Sequence, residues 1–90
     1  MSAEETDTWI QQAIQQALVE IAPEADLQQL DPERSFHAQL GIDSVDFLRL
    51  IAALERTAGI PIPGAHGHRL STPSGCRAYL RERVNPGSRA

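Results

Sequence analysis

Several kinds of residue and segment are scarce in this 90-residue chain, and each absence narrows its function. There is a single cysteine, Cys76, so no intramolecular disulfide can form and nothing indicates an oxidising compartment. No apolar run approaches the roughly 20 residues that a membrane-spanning helix needs. Residues 1–5 are acidic, unlike a secretory signal. We therefore expect a cytoplasmic protein without a membrane span.

Lysine is absent, and aromatic residues make up only 4% of the chain. Residues 1–46 hold ten acidic residues and one arginine, whereas residues 47–90 hold two acidic residues and seven arginines. The net charge of −4 therefore conceals a dipolar chain whose two ends favour different partners. Apolar positions separate the arginines, so the dense positive charge that follows nucleic-acid phosphates is missing. We expect no nucleic-acid partner.

Three stretches carry apolar residues at the three- and four-residue spacing of an amphipathic helix. They cover residues 5–21, 44–58 and 72–84. The predicted N-terminal caps are Ser2 with Glu5, or Thr6, for the first, Asp43 for the second, and Thr72 or Ser71 ahead of Pro73 for the third. The predicted stops are Pro23, Gly59 and Asn85-Pro86-Gly87.

Each predicted helix has an apolar face that we expect to be buried. These faces are Ile10, Ile14, Leu18 and Ile21; then Val45, Leu48, Ile51, Ala52 and Leu54, with Phe47 and Leu50 at the margins; then Cys76, Tyr79, Leu80 and Val84. Nothing in the sequence predicts a strand, and no internal repeat is visible.

Two connections of different kinds join these helices. The first connection, residues 22–43, is long, and its Asp31-Pro32-Glu33 segment predicts a single helical turn. Residues 60–70 are rich in glycine and proline and predict at most one short, loose helical turn around residues 65–70. The side chains expected to reach the core from the connections are Leu27, Leu30, Phe36, Leu40, Ile62 and Leu70.

The predicted fold is all-α, a four-helix bundle of three long helices plus one short, loose third helix. Ninety residues leave room for one core only, so we expect a single domain over residues 1–90. Its core should cover about residues 6–84, with a frayed tail at residues 85–90.

The chemistry of the chain concentrates at residues 40–48, where a turn at Gly41 leads into a helix. Asp43 is the predicted N-cap, and Ser44 follows it at the first helical position. A helix N-terminus has unpaired N–H groups and the positive end of the macrodipole, so it can hold a phosphate. By itself, Ser44 fits an ordinary capping role better, because most serines before apolar helices are caps. No Gly-x-Ser-x-Gly turn or His–Asp pair marks it as a catalytic nucleophile.

The chain resembles the acyl carrier protein family over about residues 6–84, in motifs and in the order of its helices. The motifs are Leu40-Gly41-Ile42-Asp43-Ser44-Val45-Asp46, then Leu50 and Ala53-Leu54-Glu55, Gly59-Ile60-Pro61-Ile62-Pro63, Leu70-Ser71-Thr72-Pro73 and Tyr79-Leu80. Motif, spacing, length and helix order together make this resemblance specific.

The resemblance implies a carrier and not an enzyme. A phosphopantetheinyl transferase would move 4'-phosphopantetheine from coenzyme A to Ser44. The thiol of this arm would then carry acyl intermediates as thioesters between acyl-loading and acyl-processing enzymes of a lipid or polyketide-type pathway. The expected form is a free-standing monomer.

The resemblance also assigns roles to residues around Ser44. The expected partner-recognition residues are Asp43, Val45, Asp46 and Arg49. The positions that match the family's acyl cavity are Phe36, Leu54, Ile62 and Leu70. Arg49 and Arg56 stand where acidic residues are common in fatty-acid-synthesis carriers, and residues 64–69 contain no acid. These departures favour a specialised carrier over a housekeeping one.

Two other functions remain open at this stage. An aminoacyl or peptidyl carrier would have the same fold and the same serine. A helical interaction module would keep the shape and carry nothing, although the Asp43-Ser44 pair argues against it.

Three other groups of residues have simpler interpretations. His66, His68 and Cys76 match no common zinc spacing, so we expect no metal site. The two histidines are expected on a solvated loop, and Cys76 is expected in the core. The arginines of the last helix are expected to form a solvated face or, as the alternative, a docking surface for an acidic partner; they are Arg77, Arg81 and Arg83.

Overall fold

The computed structural model describes residues 2–84, and the regular structure in this range is entirely helical. The α-helices are α1 (Ala3–Ile21), α2 (Phe36–Leu40), α3 (Ser44–Ala58) and α4 (Pro73–Val84). Two 3-10 helices, Leu27–Gln29 and Gly64–Leu70, lie in the connections. The predicted all-α bundle is confirmed, and its short third helix is the second 3-10 helix. The tail predicted at residues 85–90 lies outside the described residues.

Helix α1 begins at a reciprocal cap, as the sequence predicts. The Ser2 hydroxyl accepts the Glu5 N–H at 3.2 Å, and the Glu5 carboxylate accepts the Ser2 N–H at 3.2 Å. The cap satisfies two N–H groups that have no partner inside the helix. The helix ends at Ile21, two residues before Pro23.

The caps of α3 and α4 also follow the sequence. The Asp43 carboxylate accepts the Asp46 N–H at 2.8 Å at the start of α3. Gly59 ends α3 with φ of +67°, a left-handed conformation that glycine adopts without a Cβ penalty. At the start of α4, the Thr72 hydroxyl accepts the Gly75 N–H at 3.0 Å.

The buried face of α3 differs from the predicted one. Val45 and Leu48 are 65% and 66% exposed, and Ala52 is also exposed. The side chains that α3 does bury are Phe47, Leu50, Ile51, Ala53, Leu54 and Ala58. Both sets repeat at helical spacing because five of residues 44–51 are apolar and they occupy more than one side of the helix. Packing against the neighbouring helices selects between them, and local sequence does not.

The long connection folds differently from the prediction at one point. Asp31, Pro32 and Glu33 form a turn, in which Asp31 Oδ1 accepts the Glu33 N–H at 2.9 Å, and the helical segments lie on either side of it. The Pro32 carbonyl accepts the Ser74 N–H at 2.9 Å, so this turn is tied to the start of α4. That tertiary hydrogen bond gives the turn a role that its own sequence did not indicate.

The core is built around α1, which packs against both α3 and α4. Leu27 and Phe36 are buried as predicted, with 2% and 0% exposure, and Leu30 and Leu40 pack against the core from its edge. Hydrogen bonds fix the connections to the helices: the Gln15 side chain donates to the Ala25 carbonyl at 2.9 Å and accepts the Leu27 N–H at 2.7 Å. Within residues 2–84, no helix is both long and apolar enough to cross a membrane.

Candidate functional site

Ser44 is the first residue of α3, and its side chain is exposed. Two short features place it there. Gly41 ends α2 with φ of +66°, and its N–H donates to the His37 carbonyl at 2.9 Å. Asp43 then caps α3, and its carbonyl accepts the Phe47 N–H at 2.9 Å. The chain therefore turns sharply between two helices and leaves the Ser44 hydroxyl facing solvent at a helix N-terminus.

The electrostatics at this position suit a phosphate bonded to the Ser44 hydroxyl. The cap uses the N–H groups of Asp46 and Phe47, whereas those of Ser44 and Val45 precede the first intrahelical hydrogen bond. They lie at the positive end of a 15-residue helix. Exposure of Ser44 leaves room for a long substituent, so the residues present fit a phosphodiester.

Two apolar side chains next to Ser44 face solvent. Val45 and Leu48 are the most exposed of the exposed large hydrophobic residues in the described range, and Val19, at 37%, is the third. Val45 is a predicted site residue, whereas Leu48 was predicted to face the core. Its position four residues after Ser44, on the same side of a helix, is the signal that could have identified it. Exposed apolar side chains that lie together are typical of a contact surface.

Charged pairs continue this surface along α3. Arg49 lies 3.6 Å from the Asp46 carboxylate, and Arg56 forms an ion pair with Glu20 of α1. The arginines that depart from the pattern of fatty-acid carriers are thus balanced by acids of this chain. The outer face of α3 is consequently apolar near Ser44 and carries mixed charge farther along.

The four positions expected to line an acyl cavity all belong to the core. Phe36, Leu54 and Leu70 have no exposed surface, and Ile62 is 5% exposed. They lie in one hydrophobic cluster, and the Ile62 N–H donates to the Glu55 carboxylate at 2.9 Å, which holds the second connection against α3. The structure brings these residues into the same apolar interior.

Phe47 is a site neighbour that the sequence placed only at the margin of the buried face. It is 9% exposed and lies one helical turn after Ser44. Its ring centroid is 4.9 Å from that of His37 in α2. On another side it faces Gly67 of the second 3-10 helix, where an added Cβ would lie 3.9 Å from Phe47 Cε2.

His66 is not on a solvated loop, contrary to the prediction. It is half-buried, and its Nδ1 lies 2.9 Å from the Tyr79 hydroxyl. Arg83 donates to the same hydroxyl at 3.2 Å, and the guanidinium carbons of Arg69 and Arg83 lie 4.9 and 4.5 Å from the Tyr79 ring centroid. Burial of Tyr79 explains this cluster, because a buried phenol requires a polar partner for its hydroxyl. His68 is exposed, as predicted.

The arginines of α4 are likewise more than a solvated face. Arg81 forms an ion pair with Asp7 of α1 at 2.9 Å, and Arg83 belongs to the Tyr79 cluster. The contact of Arg81 with Asp7 was not predictable from the local pattern, because its partner lies 74 residues away and depends on how α4 is oriented. The contact of Arg83 with Tyr79 is an i,i+4 pair within α4, and this spacing is the signal that could have identified it.

Cys76 lies in the core with no exposed surface, as predicted. Burial raises the pKa of its thiol to about 12, and the nearby Arg77 opposes this only in part. Residues 2–84 contain no group of three or more His, Cys, Asp or Glu side chains placed to hold a metal ion.

A protein family and several known proteins match this sequence. The family model described as "Phosphopantetheine attachment site" matches residues 10–75, which include Ser44 and its flanking motif. Two curated relatives, each named "Acyl carrier protein", come from Helicobacter pylori strains G27 and HPAG1. Each is 31% identical to this chain over 67 residues, covering 74% of this chain and 86% of the relative.

No solved structure shows significant similarity to this chain. The family model nevertheless covers more than half of the sequence, and the match to each of the two relatives covers most of the relative's length. The all-helical structure and the exposed serine at the start of α3 agree with both matches. This chain is therefore a member of the acyl carrier protein family.

Proposed function

We propose that Ser44 is the attachment point of 4'-phosphopantetheine, the prosthetic group of this family, and that the chain acts as a carrier and not as a catalyst. The observation that carries the proposal is the exposed Ser44 hydroxyl at the capped N-terminus of α3. The thiol of the arm holds acyl intermediates as thioesters and presents them to successive enzymes of a lipid or polyketide-type pathway.

A phosphopantetheinyl transferase performs the attachment in this proposal. The Ser44 oxygen forms a bond to phosphorus, the pyrophosphate bond of coenzyme A breaks, and the adenosine bisphosphate leaves as the hydroxyl proton is removed. Asp43 and Asp46 flank Ser44 and give basic groups of the transferase an electrostatic target. The N-terminus of α3 then stabilises the phosphodiester charge.

The surface beside Ser44 provides the contacts with partner enzymes. Val45 and Leu48 supply exposed apolar area, and Asp43, Asp46 and Arg49 surround it with charge. This pattern fits a partner with an apolar pocket and mixed charge. This surface supports service to a specialised set of enzymes. The proposal also takes the carrier to be a cytoplasmic monomer.

The apolar interior offers a place for the acyl chain. Phe36, Leu54, Ile62 and Leu70 are the residues that we propose to line it. Their side chains are fully apolar, so burial of each methylene there would be favourable by about 0.8 kcal/mol.

An aminoacyl or peptidyl cargo is the second candidate. The absence of acidic residues in the second 3-10 helix favours it, because acids in that region serve fatty-acid enzymes in the family. The names of the two curated relatives favour an acyl cargo. Release of the cargo from the native protein and its identification by mass spectrometry would separate the two.

The attachment is tested by incubating the unmodified protein with coenzyme A and a promiscuous transferase. We expect the intact mass to rise by one phosphopantetheine group, and we expect no rise for Ser44→Ala. Ser35→Ala is the matched control, because Ser35 also lies at a helix start, as the cap of α2, and this variant should be modified fully. Folded wild-type protein that stays unmodified with several transferases would be a non-carrying helical module, and the proposal would be wrong.

A further inference from the structure

Phe47 is the first buried side chain of α3 after Ser44. Residues three apart on a helix are surface neighbours, with Cβ atoms roughly 5–6 Å apart. Ser44 and Val45 are exposed, whereas the Phe47 ring keeps only 9% exposure. The ring therefore lies at the boundary between the attachment point and the protein interior.

The Phe47 ring also occupies the junction of three elements. It extends from α3 and packs on the His37 ring of α2, with centroids 4.9 Å apart and planes inclined by 37°. On the second 3-10 helix it faces Gly67, which has no side chain to contact it. The ring thus contacts α2 directly, while beside Gly67 there is room for a methyl group.

Each of the three elements also carries a fully buried apolar residue near this junction. Phe36 adjoins His37, Leu70 lies three residues after Gly67, and Leu54 lies two turns after Phe47 on α3. None of the three has exposed surface. A chain that runs from Ser44 towards these side chains between α3 and the second 3-10 helix meets the Phe47 ring first, because this ring is the first buried side chain after Ser44 and faces Gly67.

We propose that Phe47 gates access of the cargo on Ser44 to the apolar interior and thereby selects cargo by length and polarity. The inference rests on the proposed function and adds a cargo-selecting residue to it. The free-energy cost of exposing a phenylalanine side chain equals the gain from burying about two to four methylene groups. Short or polar cargo therefore stays in solvent, whereas a longer apolar chain gains enough burial to move the ring.

Two substitutions change the gate in opposite directions. Phe47→Ala removes the ring, so a short chain should gain access to the interior. Gly67→Ala adds a methyl group at ordinary contact distance, 3.9 Å from the ring, and should hold the ring closed against longer chains. Gly67 has no positive φ, so alanine fits its backbone. Val19→Ala, which shortens an exposed apolar side chain on α1, is the matched control.

The experiment loads each variant by a transferase with butyryl- or octanoyl-coenzyme A and records NMR spectra of the Leu54 and Leu70 methyl groups. In wild-type protein and in Val19→Ala we expect these signals to shift with octanoyl cargo, relative to protein that carries the unacylated arm, and to stay unshifted with butyryl cargo. Phe47→Ala should show shifts with both cargoes, and Gly67→Ala should show at least a twofold smaller octanoyl shift. Phe47→Leu replaces Phe47→Ala if the latter does not fold.

Intact mass, measured first, separates the two proposals. Failure of the transferase to load Ser44 overturns the proposed function and the gate together. Complete loading, followed by the same dependence on chain length in wild type, the Phe47 variant and Gly67→Ala, overturns the gate alone.

Discussion

Cys76 lies on the buried face of α4 with no exposed surface, and burial raises the pKa of its thiol to about 12 from an ordinary value of 9.0. The thiolate is the reactive form of cysteine, so burial protects Cys76 both by excluding reagents and by keeping the thiol protonated. The raised pKa also makes the stability of the fold depend on pH. The unfolded chain loses the proton first as pH rises through 9, so the free energy of unfolding falls above that pH.

We expect Cys76 to resist alkylation by iodoacetamide near neutral pH in the folded protein, since burial both excludes the reagent and raises the pKa of the thiol, which keeps the reactive thiolate scarce. After denaturation it should react at the ordinary rate. Mass spectrometry after timed quenching checks both rates. Phosphopantetheine-loaded protein should add one fast thiol, that of the arm. Rapid alkylation of Cys76 in folded protein without the arm would contradict its burial.

At the scale of elements, the second 3-10 helix is fixed to α4 by polar contacts as well as by Leu70. His66 and Arg83 both contact the Tyr79 hydroxyl, at 2.9 and 3.2 Å, and Arg69 forms an ion pair with Glu82 at 3.0 Å. Glycine at positions 64 and 67 weakens this helix, so these contacts compensate for a low intrinsic helix propensity. The segment that faces Phe47 is consequently held by its ties to α4.

Tyr79→Phe removes the hydroxyl and leaves the buried ring in place. We expect the free energy of unfolding to fall by about 1 kcal/mol, because one buried hydrogen-bonded group is lost. Amide hydrogen exchange in Gly64–Leu70 should become faster, while α1 keeps its protection. Thr8→Val, which alters an exposed hydroxyl on α1, is the control and should change neither measurement. Equal acceleration along the whole chain would show that the contact does not act on this helix specifically.

At the scale of the whole molecule, the charge asymmetry of the sequence is reduced by folding. Arginines of the second half pair with acids of the first: Arg56 with Glu20, and Arg81 with Asp7. These pairs join α3 and α4 to α1, so basic residues of the second half of the chain lie next to acidic residues of the first half. The asymmetry is offset at these two pairs, and the expectation of two oppositely charged ends stays a prediction for the rest of the surface.

Both pairs are about half exposed, so each should contribute only about 0–1 kcal/mol and should weaken as salt screens it. We expect the double variant Arg56→Gln, Arg81→Gln to be slightly less stable than wild type in low salt and equal to it in high salt. Urea denaturation at the two salt concentrations measures this difference. Arg34→Gln is the matched control, because Arg34 has no ion pair in the part of the chain that the structure describes, and it should show no such convergence. A stability difference that persists in high salt would indicate lost packing by the arginine stems.

Local sequence was sufficient to predict the three long helices and the position of Ser44, but not α2 or the 3-10 helix Leu27–Gln29. Caps at Ser2, Asp43 and Thr72 act within three residues, so the sequence around each determines them. The same holds for Gly59, whose left-handed conformation ends α3. The position of Ser44 at a capped helix start is of this kind, and so it could be predicted before any tertiary contact was known.

Only the tertiary structure decided which side of α3 is buried and what surrounds Ser44. The alternative faces through Val45 and through Phe47 have equal helical spacing, and the packing of α1, α2 and the second 3-10 helix selects the second. The pairing of Tyr79 with His66 and the ion pairs of Arg56 and Arg81 with α1 were undetermined for the same reason. Backbone caps depend on neighbours within one turn, whereas burial and side-chain pairing depend on residues that folding alone brings together.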